Sequence, residues 1–112
     1  MNIYTIDVHD NQCKIVGIDQ IDILTNGSLE ELKTVKNPNQ VGSVRNKDDD
    51  TIHGEITPLI MIINQGANDW LKRVETLIGL GADSNQKINY YGNSISARDV
   101  YYRKWGEGLK VR

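Results

Sequence analysis

Thr57-Pro58 followed by the unbroken run Leu59-Ile60-Met61-Ile62-Ile63 constrains this chain more than any other stretch. Threonine is a good helix N-cap, and proline suits the first helical position because the amide hydrogen it lacks would have no helical partner there. The segment therefore predicts a helix start. Five consecutive apolar residues leave such a helix no side for water, so it must be sandwiched between neighbours at the centre of the core.

The flanking segments carry helical signals of their own. Leu71, Val74, Leu77 and Ile78 form a 3-4 stripe over a helix from about residue 68 or 69 to residue 80, with Lys72, Arg73, Glu75 and Thr76 opposite and Gly81 placed to close it. Upstream, Ile21, Ile23 and Leu24 suit a two-turn helix stopped by Asn26-Gly27. Ser28 and Glu31 then have capping-box spacing at the head of a second short helix. Near the C-terminus a helix starts at Ser94 or Ser96, runs through Trp105 and ends at Gly106 or Gly108. Residues 37–56 are rich in turn formers and predict a long loop anchored by Val41, Val44 and Ile52, while 82–87 and 90–93 read as a loop and a turn. Residues 1–18 allow either a hairpin turning near Asp10-Asn11 or an irregular cap.

Aligning the helix pairs on Gly27 and Gly66 gives an internal repeat of helix, tight turn, helix and long connection. Such units bury their apolar faces only by stacking. Over residues 54–94, Thr57-Pro58-Leu59, Gly66, Val74, Leu77-Ile78 and Gly81-Ala82-Asp83-Ser84-Asn85 resemble the ankyrin repeat signature, with Ile60, Ile62 and Ile63 as departures from it. The resemblance implies an all-α fold, a short ankyrin-like solenoid of antiparallel helix pairs in a single domain spanning 1–112. Its parts are an N-terminal strand or cap (1–18), a degenerate repeat (19–36), a long loop (37–56), the best-matched repeat (57–90) and a C-terminal partial repeat with its cap (91–112). It also implies a non-enzymatic protein-binding module, and the compact, acidic chain suggests a stoichiometric inhibitor such as a toxin immunity protein or a phage-encoded defence inhibitor.

Composition narrows the partners. At 112 residues with a formal charge of -2, the chain is one modest domain with no strong pull toward nucleic acid. No apolar run is long enough to span a bilayer, and no signal-peptide pattern opens the chain. One cysteine, Cys13, excludes an intrachain disulfide and fits a reducing, cytoplasmic setting. The expected partner is another protein, a toxin, nuclease or defence enzyme, met by the acidic run Asp48, Asp49 and Asp50 and by Trp70, Tyr90, Tyr91, Tyr102 and Trp105. The alternatives are a metal-dependent enzyme built on His9 and His53, which lack metal-ligand spacing, and a nucleic-acid binder using the C-terminal rings with Arg103 and Lys104. No catalytic residue, metal site or cofactor is assigned.

Overall fold

The computed structural model describes residues 13–65, 68–90, 92–106 and 108. Among these residues five helices and five strands follow in the order β1 (Cys13–Val16), α1 (Ile21–Asn26), α2 (Leu29–Leu32), β2 (Gly42–Asn46), β3 (Ile52–Ile56), α3 (Pro58–Gln65), α4 (Trp70–Gly79), β4 (Ile88–Tyr90), β5 (Asn93–Ile95) and α5 (Ala97–Trp105). The strands form one antiparallel sheet in sequence order, β1-β2-β3-β4-β5.

This sheet overturns the all-α, ankyrin-like solenoid. The fold is mixed, with helices and a five-stranded sheet, and the ankyrin resemblance does not carry over to it. The expected long loop over 37–56 is largely a hairpin, β2-β3, and the expected loop and turn over 82–93 hold a second one, β4-β5. The suggested hairpin near Asp10-Asn11 and the turn at Gly66 lie outside the described residues.

The helices cluster around α3. Leu59 through Ile63 are all buried, and α3 packs against α1, α4 and α5 while α2 packs against α4. Local chemistry sets the helix ends. The Thr57 hydroxyl accepts from the Ile60 N–H at 3.4 Å, and Ser28–Glu31 and Ser96–Asp99 each form a reciprocal capping box. At the end of α4 the Ala82 N–H donates to the Leu77 carbonyl and the Gly81 N–H to that of Ile78, with Gly81 at φ 103°. That is the left-handed closure for which glycine is suited.

Arg73 joins the first helix pair to the second. Its guanidinium donates to the carbonyls of Gly27 (2.7 Å), Leu24 (3.0 Å) and Ile23 (3.5 Å) at the C-terminal end of α1. They lie where α1 runs out of helical donors, although the Ile23 carbonyl also accepts from the Gly27 N–H at 2.9 Å, and a cation there complements the helix dipole. The helical stripe predicts Arg73 in water and Leu71 in the core. The structure reverses them: Arg73 is buried and Leu71 is 42% exposed.

The sheet has one buried and one open face. Ile15, Val44 and Gly54 align across the ladder on the inner side, with Gly42, Ile56, Ile88 and Ile95 also inward and buried. Gly42 allows β2 to approach the segment before α1, since a Cβ there would lie 2.7 Å from the Val16 carbonyl oxygen. Lys14, Val16, Ser43, Arg45, Glu55, Asn89 and Ser94 alternate onto the other face.

Candidate binding site on the sheet

The open face gains its shape from a break in the β2-β3 ladder. Val44 pairs with Gly54 and Arg45 pairs with Ile52, so His53 is the extra residue of a β-bulge. A bulge bends its strand and re-aims side chains. On the far side, Gly54 pairs with Tyr90, and the Glu55 Oε1 accepts from the Asn89 N–H at 2.7 Å, so a side chain also ties the two hairpins together. The Asn89 Oδ1 in turn accepts from the Gly92 N–H at 3.0 Å, which fixes the second hairpin's turn.

Between these groups lies an open groove of about 570 Å³ lined by Ile52, His53, Gly54, Glu55, Asn89 and Gly92. Ile52 is 58% exposed, the most exposed aliphatic side chain among the described residues. A β-branched residue suits a strand, but this one has no cover on its solvent side. The groove therefore combines an apolar wall, an imidazole, a carboxamide and a carboxylate held in place by a backbone donor. Among the described residues no group of three or more His, Cys, Asp or Glu side chains is placed to hold a metal ion. His9, the other histidine of the enzyme alternative, lies outside them.

The expected acidic patch sits at the tip of the β2-β3 hairpin, and its three aspartates have separate tasks. Asp50 occupies the left-handed region at φ 63° and pairs with Lys14 (2.9 Å) and Arg45 (3.3 Å). The Lys14 ammonium, with Arg45 beyond it, holds the Asp50 carboxyl below its ordinary range. Asp49 accepts from the Thr51 N–H at 3.0 Å, and its hydrogen bonds to Thr51 lower its pKa in the same direction. Asp48 contributes its backbone N–H to Asn46 Oδ1 (2.8 Å), and its exposed carboxylate has no bond among the described residues. Of the three charges, that of Asp50 is thus matched by cations on β1 and β2. Sequence alone could not show this, because Lys14 is on another strand.

The aromatic candidates are dispersed. Trp70 begins α4, partly buried against the core, with its ring 5.3 Å from that of Tyr101. Tyr102 is exposed on α5, in a second depression of about 360 Å³ bordered by Lys87, Ser94, Ile95, Asp99 and Arg103. There Lys87 and Asp99 pair at 2.9 Å. Tyr90 and Trp105 are placed by their backbones, in β4 and α5, and Tyr91 lies outside the described residues.

Sequence reasoning missed the groove itself, although His53 had been singled out for other chemistry. The signal was present in Ile52-His53-Gly54-Glu55-Ile56, a short alternating run set behind a cluster of turn formers. No helix among the described residues is long and apolar enough to cross a membrane. Comparison with known proteins adds no further identification: no family model, curated protein or solved structure matches this chain.

Proposed function

We propose that this protein is a non-enzymatic binding module that recognises another protein through the open face of its sheet. The observation that carries the reading is the exposed Ile52 set in a groove among polar groups on a sheet whose other face is already buried in the core. Interfaces have this form: an apolar centre that is desolvated on binding, with a polar rim that sets orientation. Val16 lies on the same face two strands away, level with Ser43 and Glu55, and is 42% exposed, while Asp48 and Asp49 are exposed at the hairpin tip. Acidic groups in such a position favour encounter with a basic partner, such as an enzyme that acts on nucleic acid.

The test is affinity capture with the tagged full chain, followed by size exclusion with light scattering. One protein held at fixed stoichiometry is the expected result, and a stoichiometric inhibitor would give a long-lived complex that silences its partner. Replacing Ile52 and Val16 together by Asn should abolish capture while leaving the fold intact, whereas Tyr102→Ala should leave capture unchanged. Loss of capture in the Tyr102 variant alone would move the interface to the C-terminal depression and refute the sheet-face reading.

A further inference from the structure

The sheet-face groove also indicates what enters it, an inference that rests on the binding function proposed above. Glu55 sits on the groove wall with one carboxylate oxygen fixed by the Asn89 N–H, so its position does not depend on a ligand. Its other oxygen makes no bond among the described residues. The neighbouring cations are directed elsewhere. Arg45, opposite Ile52 across the ladder, donates to the Ser43 hydroxyl (3.0 Å) and to Asp50 (3.3 Å), while Lys14 pairs with Asp50 (2.9 Å). Among the described residues the groove lining contains no lysine or arginine. An anionic group entering it would face Glu55 with no lysine or arginine among the described lining residues to offset the repulsion. A cation would meet a preorganised carboxylate.

We propose that the groove accepts an arginine side chain carried on an extended segment of the protein partner. The methylene stem lies along Ile52, and the guanidinium donates to Glu55. Arginine is suited to both contacts because its head is weakly hydrated and forked while its stem is apolar. A volume of about 570 Å³ admits the side chain with some of its flanking main chain.

The probe is a capped peptide with one arginine between valines, titrated into the isotopically labelled full chain and followed by amide chemical shifts. A matched peptide with citrulline in place of arginine keeps the shape and removes the charge. The expected result is a shift pattern centred on residues 52–55, 89 and 92, with the arginine peptide binding at least about tenfold more tightly. Glu55→Gln should erase that difference. The glutamine oxygen can still accept from Asn89, so the variant should retain the wild-type spectrum elsewhere, and Ile52→Thr gives a second variant that weakens both peptides. Equal binding of the two peptides, an unchanged preference in Glu55→Gln, shifts centred on α5, or no binding at all would each overturn the proposal. If the captured partner bound Glu55→Gln as tightly as wild type, the arginine inference would fail and the binding function would stand. If no partner were captured but the arginine peptide bound as described, the groove's preference would stand without the wider function.

Discussion

An arginine that is 5% exposed in a domain of this size must find acceptors for its N–H donors, and Arg73 finds them on three carbonyls at the end of α1. Its ion pair with Asp69 is long, at 3.9 Å, and Asp69 is half in water, so the carbonyls matter more than the carboxylate. Arg73→Met keeps the buried stem and removes the donors, and should lower unfolding free energy by about 2–4 kcal/mol. Arg73→Lys should fall between, because a point charge on a flexible stem cannot serve Gly27 and Leu24 with the geometry of a fork. Urea unfolding followed by tryptophan fluorescence measures both. If Arg73→Met lost less than about 0.5 kcal/mol, like an ordinary surface change, the linking role would be wrong. Nothing in the local sequence marks Arg73 as buried. It occupies a polar position in a regular amphipathic helix, and only the packing of α1 and α2 beside α4 brings the acceptors to it.

At the level of elements, helix ends were legible and strands were not, for a physical reason. A capping box is a contact between residues three apart, so Ser28 with Glu31 and Ser96 with Asp99 can be read from the sequence. Strand pairing joins Cys13 to Asn46 and Gly54 to Tyr90, and no local pattern states it. The period-2 signal was also blunted, because Gly42 and Gly54 occupy two inward positions where an apolar residue would have revealed the alternation. The bulge at His53 shifted its phase, and β4 and β5 are only three residues each. The groove inherited that obscurity, since it exists only where two hairpins meet. Asp99 allows a test at this scale, because it caps α5 and also pairs with Lys87. The Lys87 hydrogen bond, aided by Ser96, lowers its pKa below the ordinary 3.8. A carboxyl whose folded pKa is depressed stabilises the fold above the unfolded value and loses that contribution as pH falls through the folded one. Asp99→Asn should therefore melt below wild type at pH ~6, and the gap should narrow by pH ~2, where the native carboxyl is also uncharged. Thermal melts at the two pH values decide it. A gap that stayed constant would assign the loss to altered cap geometry rather than charge.

For the molecule as a whole, the uninterrupted apolar run that begins at Leu59 becomes the element on which α1, α4 and α5 pack. Because α3 meets α1, α4 and α5, opening it requires undoing both helix pairs and the C-terminal helix together. The hairpin tips have no such cover: residues 47–51 are exposed, and β5 is the last strand of the sheet. Stability should therefore be graded from the centre outward, as in proteins whose edges open locally while the core opens only with global unfolding. Ile62→Ala should cost about 2–5 kcal/mol, a large share of the roughly 5–15 kcal/mol typical of a whole domain. Ile52→Ala, at the exposed groove, should change stability by about 0.5 kcal/mol or less while weakening recognition. Native-state hydrogen exchange checks the same gradient without mutation. Amides of Met61 to Ile63 should exchange most slowly and lose their protection in step with global unfolding in denaturant, and those of 47–50 should exchange through local opening that denaturant barely affects. If the α3 amides exchanged as fast as the hairpin tip, the helix would not be the centre of a single cooperative core. The groove would then sit on a sheet that moves independently of the helices, and its preorganised carboxylate would lose the rigid support that selective recognition requires.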